Sequence, residues 1–139
     1  MRKKKENWNR QRSIKSYGNL VEARARDIYN LEPYFGEIES GVRADAKTQD
    51  GRPVEIKATA SNRAGGRHPR FRLWKDQTEA LVRNNGLYVF ALYQMRKRGV
   101  AIKKIRIVEA SVVYDRVEYY APTGPRWQPQ ADVRADRLL

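Results

Sequence analysis

Residues 41–59 read GVRADAKTQDGRPVEIKAT, and their apolar members alternate. Val42, Ala44 and Ala46 precede a Gln49-Asp50-Gly51 break, and Val54, Ile56 and Ala58 follow it. Side chains of an extended chain point to opposite faces in turn. Period-two alternation on both sides of a glycine-bearing break therefore predicts a β-hairpin. Gly51 can take the left-handed position that a three-residue loop demands. With that loop, Thr48 faces Arg52 and Asp45 lies directly opposite Glu55. Lys57 is two residues further on, so it shares a face with Glu55. One face of the hairpin is apolar core, and the other gathers Asp45, Glu55 and Lys57.

Upstream, residues 16–31 predict a helix. Leu20, Val21, Ala25, Ile28 and Leu31 form a stripe at helical spacing, Ser16 is a candidate cap, and Pro33 and Gly36 end it. Residues 37–40 read as a first short strand ending at Gly41. Downstream, residues 60–72 (ASNRAGGRHPRFR) read as a basic loop. Residues 74–84 read as a second helix with Trp74, Ala80 and Leu81 inward, ended by Asn85-Gly86. Residues 87–94 (LYVFALYQ) are nearly all apolar, with β-branched and aromatic members, which predicts a central buried strand. Residues 95–99 read as a basic turn, and 101–113 as one or two more strands. Three domain segments follow: a basic flexible tail at 1–15, a folded domain at 16–120 and a proline-containing extension at 121–139. The extension reads as irregular, packed by Trp127. Helix, three strands, helix, then further strands point to an α/β sandwich around a mixed sheet.

Two carboxylates facing each other repel unless a cation lies between them. Aspartate and glutamate oxygens, with the Ile56 carbonyl as a further oxygen, suit a hard divalent cation. Lys57 beside them can lower the pKa of an attacking water or stabilise charge growing on a phosphate. A metal can polarise the same phosphate and supply hydroxide near neutral pH. These are the parts that phosphodiester hydrolysis needs. An exposed strand can also carry Asp, Glu and Lys as solvated charges, and an isolated E-x-K triplet says little. The facing aspartate, the spacing and the charge of the chain add weight to the chemical reading.

Composition bounds the rest. The chain has 139 residues, enough for one modest core, with 40% hydrophobic and 32% charged residues. No apolar run approaches the roughly 20 residues that span a bilayer, and no apolar segment follows the basic start as in a secretory signal. Cysteine is absent, which excludes disulfides and thiolate zinc sites and favours a cytoplasmic setting. His68 is the single histidine, so a metal would rest on carboxylates, as Mg²⁺ or Mn²⁺ does. The formal net charge is +13 and the isoelectric point about 10.3. Such a charge suits an anionic partner, nucleic acid first. A membrane surface would want an amphipathic basic helix, which is not found. Arg43, Arg63, Arg67, His68, Arg70, Arg72 and Lys75 are candidate phosphate contacts. Gln77 is a further candidate DNA contact and can point at the carboxylates, although an exposed helix glutamine is the plainer reading.

The same segment, with Asp45, Glu55 and Lys57, resembles the core motif of PD-(D/E)xK nucleases. Within that superfamily the chain most resembles archaeal Holliday junction resolvases and related endonucleases. Gly18 and Glu22 in YGNLVEARARDIY match the early helix that carries a glutamate in that group. Ser40 to Asp45 resembles its serine- and glycine-rich lead into the aspartate. The resemblance spans residues 17–94, with Ala44 where the signature has proline. It implies a restriction-endonuclease-like αβββαβ core, a central mixed sheet flanked by helices. It also implies Glu22 as a further catalytic and metal-positioning group beside Asp45, Glu55 and Lys57. The expected activity is Mg²⁺-dependent cleavage of branched or duplex DNA, with Mn²⁺ substituting and no small-molecule cofactor. Paired nicks in a four-way junction need two active sites, which a homodimer supplies. A restriction- or repair-type nuclease, a nickase, or a nucleic-acid binder without catalysis are the alternatives.

Overall fold

The computed structural model describes residues 16–62, 64–119 and 129–139. The basic tail at 1–15, Arg63 and Trp127 lie outside them. A five-stranded mixed sheet forms the centre, in the order β1-β2-β3-β5-β6. Its strands are β1 (Glu32–Pro33), β2 (Ala46–Lys47), β3 (Pro53–Ala60), β5 (Leu87–Arg96) and β6 (Gly99–Glu109). β3 and β5 run parallel, and the other neighbours are antiparallel. β5 therefore lies inside the sheet, as its apolar run requires, and its first five residues are buried. Between β3 and β5 come β4 (Arg70–Trp74) and helix α2 (Lys75–Arg83). Helix α1 covers residues 16–28, and α3 (Ala110–Arg116), β7 (Gln130–Arg134) and α4 (Ala135–Leu138) follow the sheet.

The hairpin has the expected register. Ala46 pairs with Val54 and Lys47 with Pro53, and the Thr48 amide donates to the Arg52 carbonyl at 2.9 Å. Gly51 has a φ of 90°, the left-handed value the loop needs. The strand at β2 is much shorter than residues 42–48. Residues 37–42 do not form a strand either. They fold as a tight turn, with Ile38 donating to the Val42 carbonyl and Val42 to the Glu39 carbonyl. The Glu39 carboxylate then receives the Arg83 fork and the Asn84 amide at 2.7–3.2 Å, so side chains do here what a ladder would do.

Each face of the sheet is covered. On one face α1 lays Val21, Ala25 and the following Leu31 over Val54, Ile56, Val89 and Ala91. Leu20 and Ile28 of the predicted stripe stay exposed, and Ser16 is already helical rather than the cap. On the other face Tyr88 and Phe90 meet Phe71, Leu73, Leu81, Ala110 and Val113. Ala131, Ala135 and Leu138 complete that cluster. Three expectations fail on this face. Residues 70–74 leave the basic loop to become β4, with Phe71 and Leu73 inward. Residues 110–113 are helical, because Ala110 and Val113 reach the core at a three-residue spacing. Residues 130–138 are regular: β7 pairs antiparallel with β4 over five residue pairs. Among the described residues no helix is long and apolar enough to cross a membrane.

Helix α2 ends in a turn that fixes its place against the sheet. Asn85 takes the left-handed conformation at φ 57°, the Asn85 amide donates to the Val82 carbonyl, and the Gly86 amide donates to the Leu81 carbonyl. This is a Schellman cap with asparagine in the left-handed position. Gly86 is needed for closeness rather than for φ. A Cβ there would stand 2.7 Å from Leu81 Cδ2 and 3.0 Å from the Leu81 carbonyl oxygen. Leu81 is fully buried, so it has nowhere to retreat. Gly86→Ala should cost about 1–3 kcal/mol, while Asn85→Gly should leave stability equal or higher. Denaturant unfolding of both variants checks this, and an unchanged midpoint for Gly86→Ala would refute the packing argument.

Candidate active site

Asp45, Glu55 and Lys57 come together as the hairpin register requires. Glu55 and Lys57 lie on β3 on the same face as Tyr88 and Phe90, their partners in β5. That face is walled by α2, so Glu55 is only 8% exposed rather than solvated. Lys57 Nζ stands 3.4 Å from Glu55 Oε2. Asp45 precedes β2, and its Oδ2 accepts the Ile56 backbone amide at 2.9 Å. The Asp45 carboxyl also interacts directly with that of Glu55.

The helix wall supplies one more group. Gln77 Nε2 donates to Glu55 Oε2 at 2.8 Å and to the Arg43 carbonyl at 3.2 Å. Gln77 is thus a direct partner of the buried carboxylate rather than an exposed helix residue. The placement of α2 enforces this contact: Thr78 bonds Tyr88 through their hydroxyls at 2.7 Å, in the sheet position beside Glu55. Gln77 Oε1 is buried and has no hydrogen-bond partner among the described residues.

Electrostatics shows the strain in the pair. Burial, followed by hydrogen bonding to Asp45 and its charge, pushes the Glu55 carboxyl up to about 8, against the smaller pulls of Lys57 and Gln77. The Glu22 carboxyl on α1 is also raised, by burial first and then by the charge of Asp45. Glu22 therefore belongs to the same electrostatic neighbourhood. Among the described residues no three His, Cys, Asp or Glu groups gather closely enough to form a metal cage. The residues present suit an open site instead. Two facing carboxylates, one of them costly to ionise alone, and an unfilled buried acceptor on Gln77 fit a hard cation that keeps several of its waters.

The predicted phosphate contacts divide. Arg43, Arg67, His68, Arg72 and Arg70 are exposed and Lys75 is half-buried. Arg67, His68, Arg70 and Arg72 line a cleft of about 690 Å³ on the outside of the β4–β7 ribbon. Arg70 is already paired with Asp132 at 2.9 Å. This cleft is built on the ribbon rather than on β3, so these cations do not join the carboxylate cluster. Trp74, expected inward, is 36% exposed and stands beside Gln77. The alternation Arg70-Phe71-Arg72-Leu73-Trp74 carries that signal, and it is readable once residues 70–74 are taken as a strand.

The raised Glu55 has a pH consequence. Unfolded, the carboxyl ionises near its ordinary value, whereas the folded, metal-free protein holds the proton up to about 8. The metal-free protein therefore loses stability as pH rises through that window. Glu55→Gln should melt higher than the wild type at pH 8 in chelator, and the gap should close toward pH 4.5. Mg²⁺ should raise the melting temperature of the wild type and leave Glu55→Gln unmoved. A variant that melts lower at pH 8 would contradict this.

Comparison with known protein families agrees with the fold. A family model described as a PD-(D/E)XK nuclease superfamily domain matches residues 8–139. No curated protein and no solved structure matches the chain. The matched span takes in nearly the whole chain, including α1, the hairpin and the closing ribbon, and the chain belongs to the PD-(D/E)XK nuclease superfamily.

Proposed function

We propose that the protein is a metal-dependent DNA endonuclease that selects branched DNA, as Holliday junction resolvases do, and acts as a cytoplasmic homodimer. The observation that carries the reading is the buried Glu55 carboxylate, faced by Asp45, with Lys57 at 3.4 Å. Such an arrangement is unfavourable by itself and is explained by a divalent cation and a phosphate. Superfamily membership supplies hydrolysis of nucleic acid as the reaction class.

Asp45, Glu55 and the Ile56 carbonyl would hold Mg²⁺, or Mn²⁺ in its place, with Glu22 positioning the group from α1. When bound, the cation supplies Lewis-acid stabilisation and a more acidic water. The Ile56 amide fixes the rotamer of Asp45, and Gln77 fixes that of Glu55. Lys57 keeps a positive charge beside the position where a phosphate oxygen would gain charge, and its partial burial strengthens that effect. Arg43, Arg67, His68, Arg70, Arg72 and Lys75 would bind the DNA backbone. The net charge of +13 supports a strongly salt-dependent affinity.

A cleavage panel tests this with four-way junction, flap, plain duplex and single-stranded DNA in Mg²⁺, Mn²⁺ or chelator. Wild type should cut in either metal and not in chelator. Glu55→Ala should lower the rate by at least about a thousandfold while DNA affinity is kept or raised. Paired nicks confined to the junction would support the resolvase reading. Cleavage spread over plain duplex would point to a restriction- or repair-type enzyme. Tight binding without cleavage in either metal would sink the catalytic reading.

A further inference from the structure

We propose that Trp74 and the cleft beside it take one unpaired nucleobase of the substrate strand, next to the bond being cut. The location relative to the cut rests on the nuclease reading above; the binding does not. Trp74 is the last residue of β4, and the residue is 36% exposed. The fold uses its backbone. The Trp74 carbonyl accepts the Thr78 hydroxyl at 3.0 Å, and the ladder pairs Trp74 with Gln130. The ring belongs to none of the buried core clusters, and it stacks on no other ring among the described residues. About a third of a large flat apolar side chain is thus left in water, with no ring stacked on it among the described residues.

The surroundings indicate what covers it. A cleft of about 330 Å³ opens beside the indole, with Val42 on its apolar side and Arg43, Asp76 and Gln77 around it. Gln77 is shared with the carboxylate site, since its Nε2 reaches Glu55 at 2.8 Å. An occupant touching both Trp74 and Gln77 is therefore one side chain away from Glu55. A flat ring, a carboxylate that accepts from an exocyclic amine, and a guanidinium for the adjoining phosphate are what a nucleotide requires. A base inside a duplex has both faces covered by its neighbours, so it cannot stack on an indole. The cleft therefore fits an unpaired base, as at a flap, an overhang or a strand exchange point. The exposed Arg72 lies two residues before Trp74 on the same face of β4.

Fluorescence tests this. Trp8 and Trp127 are the other two tryptophans, and replacing both with phenylalanine leaves Trp74 as the reporter. With Glu55→Gln and chelator to prevent turnover, the protein is titrated with a blunt duplex and with the same duplex carrying a short single-stranded extension. The extension should quench Trp74 emission, and the blunt duplex should not. Trp74→Ala should lose about tenfold or more in affinity for the extended DNA, with blunt-duplex affinity unchanged. Trp74→Phe should keep most of that affinity, and Trp74→Leu, similar in bulk but without a π face, should not. The phenylalanine and leucine pair keeps the test valid if the alanine variant unfolds. Equal quenching by both DNAs, or full affinity in the leucine variant, would overturn the proposal. Selective quenching in a protein that never cleaves would sustain the stacking site and remove only the nuclease reading. Cleavage without selective quenching would do the reverse.

Discussion

A carboxylate taken out of water beside a second carboxylate is unfavourable until a proton, a cation or well-placed donors compensate it. Glu55 is in that position, and much of the architecture serves to keep it there. The hairpin turn, closed at Gly51, sets the register that brings Asp45 across from it. The Ile56 amide turns Asp45 toward the site, and Gln77 reaches down from α2 to hold the other carboxylate. Both donors act on fixed rotamers, so the two carboxyls cannot escape each other by swinging into solvent. Without a cation, the compensation comes from a proton held on Glu55 up to about pH 8, beside the Gln77 and Lys57 contacts.

Holding α2 in place is then a requirement, and the structure meets it at both ends. At its start the Thr78–Tyr88 hydroxyl pair ties it to β5. At its end Arg52, from the hairpin, donates to the Asn85 carbonyl at 2.7 Å and pairs with Glu109, which precedes α3. Gly86 accepts the Ala110 amide in the same place. The hairpin, the helix cap and the β6–α3 corner are thus one hydrogen-bonded unit. A disturbance at the cap would shift Gln77, although the cap lies far from the chemistry in sequence. Glu39 adds a second tie by gripping Arg83 and Asn84, and it thereby fixes the segment that leads into Asp45.

The hairpin and the buried strand were legible because each obeys one local rule. Alternation of Val42 to Ala58 set the register, and the unbroken apolar run at 87–91 marked a strand covered on both faces. The carboxylates followed from the register. What escaped reading depended on partners distant in the chain. The segment 70–74 has only two inward residues, Phe71 and Leu73, flanked by arginines, and it is a strand because β7 pairs with it from about 60 residues away. Residues 130–138 follow a proline-rich stretch and show no pattern long enough to declare a strand. Residues 37–40 have strand-like composition, but Gly41 at a φ of 78° closes a turn there. Gln77 looked like any exposed helix glutamine, because only tertiary placement of α2 shows that it faces Glu55. The exposure of Trp74 is hidden in the sequence for the same reason, since strand parity in β4 fixes its side.

The pairing of β4 with β7 also bears on the order in which the molecule assembles. Arg70 and Asp132 are 62 residues apart, whereas Asp45 and the Ile56 amide are 11 apart. By chain-closure entropy alone, the longer loop costs about 1.5 kcal/mol more to close, and non-local strand pairing is the slow part of folding. Chain-closure entropy therefore favours the hairpin that presents both carboxylates as the earlier contact. The same entropy disfavours early closure of the lid of Phe71, Leu73, Ala131 and Leu138 over Tyr88 and Phe90. Until it closes, the apolar face of Tyr88 and Phe90 is open to water, and the two carboxyls keep hydration that burial later removes.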